Sequence, residues 1–277
     1  MSLFSRLGNG WTIAMSSLEV LRNNKSLILL PILSGISMTL ILGSFVLVLF
    51  LSGGTDVFEQ FFDRYGQAPA IALLFLFYLV NYFIVVFFNM ALIHCTKRYL
   101  EGGEVNIQEG IQFSMSKLGA ILSWAAVAAT VGTILKVVQD NLGSIGKIII
   151  ALIGMAWSIF TFFVVPVIAY ENVGPFQAIA RSKDIVRQKW GEGLGAGFSF
   201  GLVYLLGMVC ILVVFAIGFF IHPLVGVGLG VLAFLLFSAM MSAARTIFIS
   251  AIYHNVTGDI QSHVDQQLVD SLFVSKR

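Results

Sequence analysis

Residues 68–93 read APAIALLFLFYLVNYFIVVFFNMALI, a stretch without a single charge. At about 1.5 Å per residue, a helix of this length crosses the roughly 30 Å hydrocarbon core of a bilayer with some to spare for tilt. Its apolarity is continuous rather than alternating, which excludes a barrel strand. Inside lipid only helices and closed barrels satisfy every backbone group, so the stretch is a transmembrane helix. Five further runs have the same character: Leu27–Leu51, Lys117–Val138, Ile145–Tyr170, Gly195–Ile221 and Leu224–Tyr253. The fold class predicted is all-α and polytopic. Six spans form one integral membrane domain over 1–277, with a short tail at 254–277.

Composition agrees. The chain is 58% hydrophobic and 11% charged, against about 25% charged in a soluble domain. A net charge of +2 gives no case for nucleic acid. The N-terminal segment, with Glu19, Arg22, Asn23, Asn24 and Lys25 ahead of the first run, lacks the short apolar core and small-residue cleavage site of a signal peptide. The two cysteines, Cys95 and Cys210, lie within or beside spans and offer no disulfide framework.

Where the charges sit sets the orientation. Arg6, Arg22, Lys25, Lys97, Arg98, Lys117, Arg181, Lys183, Arg187, Lys189, Arg245, Lys276 and Arg277 fall on one side, and only Arg64, Lys136 and Lys147 on the other. Positively charged loops stay inside, so both termini are expected in the cytoplasm of a cell-membrane protein. The external segments are then 52–67, 139–144 and the tight turn 222–223, where Pro223 fixes φ. Three cytoplasmic stretches, Gly10–Asn24, Asn106–Ser116 and Pro175–Trp190, read as amphipathic helices, each leading into a pair of spans. Trp11 is a headgroup-level anchor in the first, and Phe176, Ile179, Ile185 and Val186 form the apolar face of the third. The plan is an interfacial helix plus a hairpin, three times over. Leu-Gly-Ala recurs at Leu118–Ala120 and Leu194–Ala196, which suggests duplication. Such elements either fill the interface and orient the spans, or form a surface for lipid or a partner.

Three stretches carry a resemblance. They are YFIVVFFNMAL (Tyr82–Leu92) running into LEGG (Leu100–Gly103), LGAILSWAAVAATVG (Leu118–Gly132), and WSIFTFFVVPVIAYE (Trp157–Glu171) continuing through AIARSKDIVRQKWGEGLGAG. Together they resemble an uncharacterised family of six-span prokaryotic membrane proteins. That family is distantly similar to the membrane domain fused to some glycerophosphodiester phosphodiesterases. The resemblance implies a six-helix membrane domain and no known activity. With no phosphodiesterase domain in the sequence, that chemistry does not carry over.

Residues that could carry chemistry are few. Every Asp and Glu lies outside the apolar cores, which argues against a proton-coupled pump. Arg245 is the one charge embedded in a span, about 21 residues along it, or roughly 31 Å from its outer end. Glu171 ends span four at the same level. Either the two pair, tying spans four and six, or each snorkels independently into the headgroups. Asn81 and Asn89 lie in span two, about 80° apart around the helix. Interhelical hydrogen bonding is the ordinary use of such amides, and a polar substrate path is the other. Pro166, inside span four, frees the carbonyl of Phe162 and should kink the helix; broken helices build transporter sites. Gly193, Gly197 and Gly201 make successive small-xxx-small steps into span five, facing the small residues Ser238, Ala239, Ser242 and Ala243 of span six.

His94 and Cys95 form no four-ligand zinc set, and His222, His254 and His263 are isolated. No HExxH or nucleophile–base pair occurs. The chain is expected to be no enzyme and to take no cofactor or metal, with membrane lipids as its partners. Two functions stay open: a non-catalytic scaffold or envelope component, and a transporter or lipid-translocating protein.

Overall fold

A computed structural model describes the backbone at residues 15–51 and 64–258, and the side chains there except at 49, 188–199 and 255. The described residues are mostly helical, joined by short turns and loops, and among them there is no strand. After helical residues 15–23 and a 3-10 turn at Lys25–Ile28 come α1 (Leu29–Leu51), α2 (Ala68–Leu100), α3 (Ile107–Ser116) and α4 (Leu118–Asp140). Then follow α5 (Ser144–Phe160), α6 (Val164–Glu171), α7 (Pro175–Ile221) and α8 (Pro223–Thr257). Among the described residues six helices are long and apolar enough to cross a membrane, and one of them is the composite α5–α6.

Local chemistry explains the boundaries. Asn106 caps α3: its Oδ1 accepts from the N–H groups of Gln108 and Glu109 at 2.9 and 3.4 Å, while its Nδ2 donates to Glu109 Oε1. Asn106 is thus a side-chain N-cap, and Glu109 bonds the cap's own side-chain amide rather than its backbone N–H. The α6 helix ends at Asn172, whose φ of +50° places it in the left-handed region. At the α7–α8 corner only His222 lies between the helices, accepting at Nδ1 from the N–H of Leu224, and Pro223 opens α8.

Two findings change the predicted plan. The third predicted amphipathic helix does not end near Trp190; α7 runs unbroken from Pro175 to Ile221, about 70 Å of helix. Its first turns are also not a simple interfacial face, because Ala178, Ser182, Ile185 and Val186 are buried in protein while Phe176 is 76% exposed. Span four is not one helix: it is interrupted at Thr161–Phe163. Trp11, the segment 52–63 and the tail beyond 258 lie outside the described residues.

The chain divides into two compact units. One comprises Leu33–Met90 and Ile111–Asp184. In it α4 packs on α5, with Trp124 stacked on Trp157 at 6.0 Å between centroids. Ser114 of α3 donates to the carbonyl of Phe87 on α2 at 2.9 Å. Its buried side chains are mostly small or branched, among them Ala125, Ala128, Ala129, Val164, Val167 and Ala169.

The other unit comprises Met1–Ile32, Ala91–Gly110 and Ile185–Arg277. The 3-10 turn at Lys25–Ile28 packs on α8, and Ser250 of α8 donates to the carbonyl of Ile93 on α2 at 3.4 Å. Gly110 brings the start of α3 against α2: an added Cβ there would lie 2.6 Å from Cys95 Sγ and 2.8 Å from the Ala91 carbonyl oxygen. Along α7 and α8, Gly218 meets Gly226 backbone to backbone and Tyr204 packs edge-on to Phe237.

Candidate functional site

The interruption of span four is the most irregular backbone in the described part of the membrane region. Pro166 has no N–H to offer Phe162, and the chain tightens just upstream, where the Phe162 N–H reaches Ile159 and the Val164 N–H reaches Thr161. The Phe163 N–H donates instead to Ser182 Oγ of α7 at 2.9 Å. Ser182 is fully buried, so an amide freed inside the span is satisfied by a side chain from another helix, as lipid requires. Sequence reasoning missed Ser182, which sits among charged neighbours in a segment read as interfacial. Its spacing from Ala178 and Ile185 was the available signal.

The carboxylate of Glu171 accepts from Arg181 Nε at 3.0 Å, with both side chains partly exposed. Beside it, Lys117 Nζ donates to Asn172 Oδ1 and lies over the Phe113 ring. Phe113 in turn packs on Tyr170. Arg245, expected opposite Glu171, is exposed on α8 in the other unit.

The close approach expected at Gly201 is absent there, since an added Cβ would meet nothing within 4 Å. It lies instead at Gly207, which faces the Phe237 ring, and at the Gly218–Gly226 crossing. The 3.6-residue turn decides the difference: six positions on from Gly201, Gly207 has rotated by about 120°. Gly193 and Gly197 lie outside the described side chains.

Span two carries Asn81 and Asn89, both half-buried, on the same side of α2 as Tyr78 and Tyr82. Opposite the two tyrosines α4 has Gly132, where a Cβ would lie 3.5 Å from the Tyr78 ring and 3.6 Å from Tyr82 Oη. One turn farther along α4, Lys136 pairs with Asp140 at 2.7 Å. Cys95 donates to the carbonyl of Asn106 at 3.3 Å, a packing role for a buried thiol. Among the described residues no three His, Cys, Asp or Glu side chains gather in a way that could hold a metal ion.

A family of unknown function (DUF6159) matches residues 68–262. The chain belongs to this family. The DUF6159 region takes in five of the six spans, the interruption at Thr161–Phe163 with its Ser182 partner, and the polar side of α2. It leaves out α1 and the helical residues before it. No curated protein matches the chain, and no solved structure does.

Proposed function

We propose that this DUF6159 protein is a non-catalytic component of the cell membrane, a scaffold or envelope protein with both termini in the cytoplasm. The reading rests on what its buried hydroxyls do. Thr96, Ser114, Ser182 and Ser250 each bond a backbone group, on their own helix or on a neighbour. Three of the four, Ser114, Ser182 and Ser250, thus tie one helix to another. Three hairpins, the third entered through the first turns of α7, complete the proposed arrangement. Kinship with the membrane domain joined to glycerophosphodiester phosphodiesterases belongs to the same proposal and brings no hydrolytic chemistry with it.

A second reading, lipid translocation, is favoured by one observation: the interruption at Thr161–Phe163 resembles the discontinuous helices around which transporters rock. Reconstitution separates the two. Vesicles containing the protein and a headgroup-labelled fluorescent phospholipid should lose only the outer-leaflet signal to an impermeant quencher, as protein-free vesicles do. Loss of the inner-leaflet signal as well would replace the scaffold reading with translocation.

A further inference from the structure

Tyr78, Tyr82, Val85 and Asn89 fall within one stripe of α2, with Asn81 about 60° to its side. The four polar members are half-buried and Val85 is exposed, so the stripe stays open along its length. Among the described residues, no hydrogen bond engages the hydroxyls of Tyr78 and Tyr82 or the amide of Asn81. Polar groups left unbonded in hydrocarbon are costly, and protein interiors normally pair them. Across from the tyrosines, Gly132 presents bare backbone, leaving the Tyr82 hydroxyl uncovered by any side chain at that position. Toward the end of α4, the exposed Lys136–Asp140 pair sets a cation and an anion side by side. Deeper along the same stripe the exposed Val85 offers apolar surface.

Each feature selects for the occupant. Adjacent opposite charges match a headgroup that itself carries a phosphate and an ammonium. Hydroxyl and amide donors deeper along the stripe match ester and glycerol oxygens. The apolar Val85 deeper along the stripe matches an acyl chain, which a free water-soluble headgroup lacks. We propose that this face of α2, together with Gly132 and the Lys136–Asp140 pair of α4, binds one zwitterionic glycerophospholipid. The phosphate sits at Lys136, the amine at Asp140, and the glycerol ester region at Tyr78, Asn81 and Tyr82. The site goes beyond the scaffold reading and is independent of whether any lipid crosses the bilayer.

Native mass spectrometry of the full-length protein, delipidated in detergent and titrated with phosphatidylethanolamine, tests it. The wild type should retain one molecule, with weaker retention of phosphatidylglycerol and none of soluble glycerophosphoethanolamine. Tyr78→Phe/Tyr82→Phe keeps both rings and removes only the hydroxyls, and should weaken retention about fivefold to tenfold. Asp140→Asn should abolish the preference over phosphatidylglycerol, while Leu212→Ala, on the exposed side of α7, should change nothing. Equal retention by the wild type and the double phenylalanine variant would overturn the site. So would a wild-type preference for the anionic lipid, or binding of the soluble headgroup.

Discussion

Ser182 closes the interruption in span four by accepting from the Phe163 N–H at 2.9 Å. Ser182→Ala leaves that amide unbonded in an apolar setting, so a loss of about 1–3 kcal/mol is expected. Thermal or denaturant unfolding in detergent measures it, and an unchanged midpoint would mean the amide finds another acceptor. Glycines give a paired test at the same scale. In Gly218→Ala the new methyl would lie 2.8 Å from the backbone of Gly226, and overpacking of that kind costs about 1–3 kcal/mol. Gly201→Ala enters open space and should be neutral or stabilising by up to about 1 kcal/mol, from helix propensity alone. Equal effects at the two positions would refute the placement of the α7–α8 crossing. Residue-level reading of the sequence found the amides of span two, because an Asn in an apolar run is conspicuous. It missed Ser182 and chose Gly201 over Gly218, because which side of a helix faces protein depends on partners that are distant in sequence.

At the scale of elements, the six spans were legible because twenty-odd apolar residues in a row have one solution in lipid. The start of α7 was not. The interfacial helix was expected to end at Trp190 and span five to start at Gly195, with glycines at 191, 193, 195 and 197 between and at the start, each costing about 1 kcal/mol in an exposed helix. Yet α7 passes straight through them, and glycine is commoner in membrane helices than in soluble ones. The turn between α6 and α7 is tied by the Glu171–Arg181 pair, which bridges ten residues. With the two side chains 25% and 40% exposed, a double-mutant cycle of Glu171→Gln and Arg181→Gln should give a coupling of only about 0.2–1 kcal/mol. Strict additivity would reduce the contact to a passing one between solvated groups.

For the whole molecule, the charge bias predicts that the Glu101–Val105 segment faces the cytoplasm and the Asn141–Gly143 turn faces outward. Single cysteines placed in each, in a background with Cys95 and Cys210 replaced, should react oppositely with an impermeant thiol reagent in intact cells. Labelling of the 101–105 position and protection of the 141–143 position would invert the topology. The order in which the chain is made gives the Ser182 bond a further meaning. Ser182 follows Phe163 by nineteen residues, so span four emerges from the ribosome while its partner hydroxyl is still inside the exit tunnel. During insertion the Phe163 amide must borrow an acceptor from water or from the translocation machinery. It surrenders that acceptor only once the following helix has emerged. A nascent chain stalled so that Glu171 but not Ser182 has emerged from the ribosome should therefore hold span four loosely, in a channel-accessible state, and release it to lipid once Ser182 has emerged.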